Sequence, residues 1–181
     1  MALRPELIEK GCELVLKGLG ASLHDPNFRD TPERYAKALT EMFEAEDTDW
    51  ATFEEKYTDF ILLRNHKLYS LCPHHLLPVR FYVSLAYIPN GHVLGLSKLA
   101  RLLHECNSGP LLQEAFTKQV LEKIYEICPG VMGAACLIEG THGCLEMRGI
   151  RSDAHFVTYK LKGVFEENSG LEDRFFKLCT R

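Results

Sequence analysis

Hydrophobic positions along this chain switch between a helical period and a strict alternation, and each switch marks an element. From about residue 4 to 18, "RPELIEKGCELVLKG" groups its apolar residues on one helical face. A second amphipathic helix opens at "RDTPERYAKALTEMFEA", where Asp30 or Thr31 can cap and Pro32 stands in the first turn. A polar, aromatic-containing connection follows, from about residue 46 to 56. Alternation then takes over. Val79, Phe81, Val83 and Leu85 in "LLPVRFYVSLAYIPNGHVLG" read as a strand of a hairpin turned at Pro89-Asn90-Gly91. Ser97 reads as the cap of a helix with Leu99, Leu102, Leu103 and Cys106 at i, i+3, i+4 and i+7. After the break at "NSGP", a longer helix carries Leu112, Ala115, Phe116, Val120, Ile124 and Ile127, and Pro129-Gly130 stops it. Strands at about 131–139, 144–148 and 155–165 complete the pattern. Strand pairs separated by long helices predict an α+β chain with an antiparallel sheet.

Composition narrows the function classes. At 181 residues the chain can bury a full core, and 46% hydrophobic with 25% charged residues excludes wholesale disorder. A formal charge of −4 excludes a general attraction to nucleic acid or anionic membranes, so an anionic ligand needs a local basic cluster. The first twenty residues mix acids with apolar residues and lack the uninterrupted core of a signal peptide, and no run reaches the length of a membrane span. Seven scattered cysteines fit reduced thiols in a cytoplasmic protein better than a disulfide framework.

Two stretches concentrate chemistry. In "CPHHLLP", Cys72 and His75 stand at i, i+3, close enough for one ion to bind both. In "THGCLEMRG", an extended backbone over 142–148 would place His142, Cys144, Glu146 and Arg148 on one face. Cys72, His75 and Cys144 together would leave a fourth metal position open for water, as in a catalytic zinc site. On spacing alone, Cys144 as a small buried hydrophobe explains the pattern as well. Lys98 and Arg101 occupy the first turn of their helix, where positive charge opposes the helix dipole. That arrangement makes sense beneath an anion, although long side chains reaching solvent also account for it. Arg34 and Lys37 read as a solvated face, and Glu114 as an acid at a favourable helix start that points away from the apolar stripe.

The stretches "RDTPERYAK", "LYSLCPHHLLP", "AYIPNGHVLGLSKLARL", "QEAFTKQV" and "THGCLEMRG", in this order, resemble GTP cyclohydrolase I. The resemblance covers most of residues 29–165. It implies a tunnelling fold: a four-stranded antiparallel sheet with two long helices on one face, preceded by N-terminal helices. The corresponding division is a helical segment at 1–45 and a catalytic domain at 46–181. It also implies hydrolysis of GTP to 7,8-dihydroneopterin triphosphate with release of formate, feeding folate, pterin or 7-deazaguanine synthesis. Zinc would be held by Cys72, His75 and Cys144, with His74 and His142 as proton-transfer groups. Glu114 would hold the guanine. Lys98, Arg101 and Arg148 would hold the triphosphate, with Ser97 and Gln113 in the same pocket. Arg34 and Lys37 would reach in from a neighbouring subunit of a homo-oligomer, a decamer of two stacked rings.

The chain departs from the family pattern at several places. Pro73 stands where the family has an acid, Glu146 occupies an apolar position, and "CNSGPLLQE" replaces a basic run. Two alternatives follow: a related enzyme acting on another purine nucleotide, or a non-catalytic purine- or pterin-binding module with a structural zinc. Paired histidines at 74 and 142 argue against the module, which has no need of proton shuttles.

Overall fold

The computed structural model describes residues 3–45 and 48–180, so the opening of the expected polar connection at 46 and 47 lies outside the described residues. The chain forms two compact units, one up to Glu44 and one from Ala45 onward. The first consists of α1 (Pro5–Gly18) and α2 (Thr31–Phe43), which pack on each other. Asp30 occupies the N-cap of α2 but makes no capping hydrogen bond. Its carboxylate instead pairs with the Arg34 guanidinium at 3.1 Å, as expected of neighbours one helical turn apart.

The second unit is built on β2 (Ile61–Leu71), β3 (Pro78–Ile88), β5 (Gly133–His142) and β6 (Phe156–Gly163). These form one antiparallel sheet in the order β2-β3-β5-β6. Two short strands, β1 (Thr52–Glu54) and β4 (His92–Leu94), pair with each other in a separate two-stranded sheet. Helices α3 (Leu96–Cys106) and α4 (Gln113–Ile127) connect β4 to β5. A short helical turn, α5 (Gly143–Glu146), follows β5, and α6 (Val164–Glu167) with α7 (Ser169–Cys179) closes the chain.

Alternation along β3 and β5 dictates two cores. Val79, Phe81, Val83, Leu85 and Tyr87 meet Ala134, Cys136 and Ile138 beneath Leu99, Leu102 and Leu103 of α3 and Phe116, Val120 and Ile124 of α4. Each large side chain buried there contributes about 1.5–3 kcal/mol. The expected α+β sheet with two long helices on one face is therefore the observed one. The intervening residues Ala86, Ile88, Ala135 and Leu137 face the other way and pack with Phe165, Phe175 and Cys179.

Two local expectations are corrected and one strand is added. The "PNG" turn does not fold β3 back onto β4, because β3 is taken on both sides by β2 and β5 and β4 pairs with β1. Strand β2 escaped the pattern because a bulge interrupts its alternation between Leu63 and His66, with Asn65 at φ 53°. Residues 144–148 are not a strand. The chain leaves the sheet at His142 and coils, with Met147 N–H donating to the Gly143 carbonyl at 2.9 Å. Gly143 permits this: a Cβ there would come within 2.9 Å of the Pro78 carbonyl oxygen and 3.1 Å of Met147 Sδ.

Candidate functional site

"CPHHLLP" is the turn from β2 to β3. The strands pair to the end, Leu71 opposite Pro78. Cys72 N–H then donates to Leu77 O at 2.9 Å, and Leu76 N–H donates to Cys72 O at 2.8 Å. Closing so tight a loop forces Leu76 to φ 53°, an uncommon conformation for a side chain of its size. The loop turns His75 back over Cys72, with Cys72 Sγ and His75 Nδ1 3.6 Å apart.

The second half of the site comes from the end of β5. Val79 pairs with His142, so the coil after His142 lies against the start of β3. Cys144 sits on that coil, and its Sγ, Cys72 Sγ and one His75 ring nitrogen all lie within 4.8 Å of one another. Donors this close could be spanned by one ion. Two thiols and an imidazole suit zinc by softness, and this donor set fits it. Burial and the adjacent Cys72 sulfur push the Cys144 thiol up from its ordinary range. A bound cation reverses that preference and takes the thiolate. The expected row of side chains on one strand face does not exist, yet the coil brings Cys144 to the same donors by another route. It also carries Arg148 to His75, whose Nε2 lies 2.6 Å from the guanidinium.

A cavity of about 310 Å³ opens beside these sulfurs. Cys72, Cys144, His74, His142, Gln113 and Glu114 line its polar side, and Leu111, Leu112, Leu145, Phe156 and Val157 its apolar side. His142 stands between the ring edges of Phe81 and Phe156, with centroids 6.1 and 5.8 Å away. Burial lowers the His142 pKa from its ordinary value, and the Glu114 carboxylate opposes that shift. Gln113 is 3% exposed, and its side chain meets His142 Nε2 at 2.9 Å. Thr117 and Thr158, hydrogen-bonded to each other at 2.7 Å, complete this polar corner. Neither threonine was expected to bear on the site. The signal was present in "QEAFTKQV", where Gln113 and Thr117 share the stripe of Phe116 and Val120 at i, i+3, i+4 and i+7.

The remaining expected residues are not among those lining the cavity. Ser97, Lys98 and Arg101 stand on α3 and do not line this cavity. Ser97 is not the cap; Gly95 takes that position and its carbonyl accepts from Lys98 N–H at 2.8 Å. Arg34 and Lys37 are on the exposed face of α2, beside Asp30 and Glu41 of the same helix.

Comparison with known proteins places this architecture. The family model described as GTP cyclohydrolase I matches residues 8–180. A protein of Clostridium perfringens named "GTP cyclohydrolase 1" is 36% identical over 181 residues, covering 97% of each chain. One of the same name from Aquifex aeolicus is 38% identical over 184 residues, covering 98% of each chain. A solved structure of the archaeosine synthase QueF-Like in the apo form is more distant, with 20% identity and a TM-score of 0.46 over 58% of this chain and 96% of that one.

Proposed function

This chain belongs to the GTP cyclohydrolase I family, and from that membership we propose that it is a zinc-dependent hydrolase converting GTP to 7,8-dihydroneopterin triphosphate and formate. The observation that carries the proposal is the convergence of Cys72, His75 and Cys144 beside a cavity lined by Cys72, Cys144, His74, His142 and Glu114. Three protein donors facing open space suit a catalytic metal, whereas a structural zinc takes four.

A zinc ion held by these donors supplies Lewis acidity and makes water nucleophilic near neutral pH. The chain's own residues do the rest. Glu114, exposed at the cavity wall, accepts hydrogen bonds from the ring N–H and amino groups of the purine and orients C8 toward the sulfurs. His142 and His74 move protons as the imidazole ring of the purine opens and formate leaves. Lowering of the His142 pKa by burial keeps that ring neutral near pH 7 and able to accept. The apolar wall excludes water from the purine face. Arg148 holds phosphate from the rim.

The triphosphate also needs Lys98 and Arg101, with Ser97 beside them, and Arg34 and Lys37 of a neighbour. The place of Ser97, Lys98 and Arg101 outside the lining of the single-chain cavity supports a site completed between subunits. Strands β2 and β6 are open edges of the sheet, and β6 exposes Phe156, Val157 and Tyr159 beside its free edge. Such edges favour a partner strand and support a homo-oligomer, a decamer by family resemblance.

The test is incubation of zinc-loaded protein with GTP, measuring formate and, after oxidation, pterin fluorescence. Stoichiometric formate with fluorescent product supports the proposal. GTP binding without formate would establish the binding-module alternative, and formate from a different purine nucleotide alone would reassign the substrate.

A further inference from the structure

Gln113 is the most constrained polar side chain near the cavity. Its Nε2 lies 3.0 Å from Ile138 O, 3.0 Å from Phe156 O and 3.2 Å from Thr158 Oγ1. Backbone carbonyl oxygens only accept, so the NH₂ end of the amide must face them. Its two hydrogens serve the two carbonyls, and Thr158 shares one of them. The amide cannot be reversed without setting Oε1 against two carbonyl oxygens, so its orientation follows from chemistry.

The opposite end of the amide is thereby decided. Oε1 faces His142 Nε2 at 2.9 Å, and an amide oxygen only accepts, so His142 Nε2 must donate. The threonines close the circuit in the same sense. Thr158, accepting from Gln113 Nε2, donates to Thr117 Oγ1 at 2.7 Å, and Thr117 donates to the backbone carbonyl of Gln113 at 2.8 Å. Gly140 leaves room for the arrangement. It stands two residues before His142 on the same strand face, and a Cβ there would overlap Gln113 Oε1 and lie 3.1 Å from His142 Nε2.

We infer that Gln113 is a positioning residue that locks neutral His142 in one tautomer, with the proton on Nε2 and the lone pair on Nδ1. Nδ1 is then the atom through which His142 exchanges protons with the substrate. Both N–H donors of the Gln113 side chain are committed to backbone carbonyls, so it leaves no donor for the purine. The inference rests on the catalytic role proposed for His142, but the tautomer itself can be read without turnover.

The experiment is long-range proton–nitrogen NMR of the full-length zinc-loaded protein carrying ¹⁵N-histidine, at about pH 8, where imidazole is neutral. The His142 signal is assigned by its loss in His142→Asn. The expected wild-type spectrum shows the Nε2–H tautomer; an Nδ1–H tautomer overturns the inference whatever the activity. Gln113→Met should mix the two tautomers and cut kcat for formate release by about 10- to 100-fold, with KM for GTP within about twofold. Thr158→Val, which leaves both carbonyl contacts intact, should keep the Nε2–H tautomer. A Gln113→Met protein that loses GTP affinity at unchanged kcat would make Gln113 a substrate ligand and overturn the inference. Wild-type protein that shows the Nε2–H tautomer but releases no formate would support the lock and defeat the catalytic reading instead.

Discussion

The two ends of the cavity are built in opposite ways. At the Gln113 end, β5, β6 and the start of α4 enclose a side chain whose amide has partners at both ends. At the Cys72 end, the donors come from a six-residue backbone loop and a helical coil, and His75 is exposed. The sheet therefore fixes His142, the proposed proton-transfer group, before any ligand arrives. The proposed metal end consists of two loops brought close together, and an ion bound there would tie one to the other. On the proposed reading the two tasks are separate: acid–base geometry would be supplied by the fold, and metal geometry would be completed by the ion.

The largest effect should come from the loop end. Cys144→Ala should lose stoichiometric zinc by metal analysis and reduce formate release by about three orders of magnitude, because several kcal/mol of Lewis-acid stabilisation disappear. Cys136, the fully buried thiol on β5, makes the contrast. Burial pushes it far above the ordinary thiol range, and Cys136→Ala should keep its zinc.

Next comes the sheet end. His142→Asn should lower kcat by about 10²- to 10⁴-fold while GTP affinity and zinc content stay near wild type. Loss of zinc in this variant would show that the two ends are not separable. Glu114→Ala should act on binding instead. A purine whose buried N–H groups lose their acceptor should bind about 10- to 100-fold more weakly, measured by calorimetry, with zinc unchanged.

The smallest effect lies away from the cavity. His66, on the bulged strand β2, has an Nε2 without a hydrogen-bond partner among the described residues, and its ring stands nearly perpendicular to that of His104 with centroids 5.5 Å apart. Burial first, and His104 second, hold its pKa below the ordinary value. The folded pKa is the lower one, so the unfolded chain takes up the proton first as pH falls through about 6.5. Stability from neutral His66 is complete above that pH and is lost as pH falls to the folded value. Urea midpoints at pH 7.5 and 5.5 should therefore differ less in His66→Leu than in wild type.

Much of this was legible because apolar periodicity is a local signal. The α3 and α4 stripes and the β3 alternation lie in uninterrupted stretches, and each reads directly as a buried face. Strand β2 was not legible, since its bulge at Asn65 shifts the inward face by one residue. Helix α7 was also missed. Its Asn168 cap, accepting from Gly170 and Leu171 N–H groups, and its Leu171, Phe175, Leu178 and Cys179 spacing were there to be read. For the site, residue types outlasted a wrong geometry. An extended 142–148 was the basis for joining Cys144 to Cys72 and His75, whereas the backbone coils after His142 and reaches the same donors. Only the pairing of Val79 with His142, across more than sixty residues, decides that, and no local pattern carries it. Gln113 was placed in the pocket only by resemblance, and it does line the cavity; its contacts to the carbonyls of Ile138 and Phe156 were not legible, because those strands are distant in sequence.

The central claim is that three protein donors hold zinc and leave one position open. X-ray absorption at the zinc edge of the full-length, zinc-loaded protein tests it most directly. The account predicts two sulfurs at about 2.3 Å, one imidazole nitrogen at about 2.0–2.1 Å and one further light atom, with the sulfur count falling to one in Cys144→Ala. Four protein ligands closed around the metal, or a coordination shell without sulfur, would contradict it.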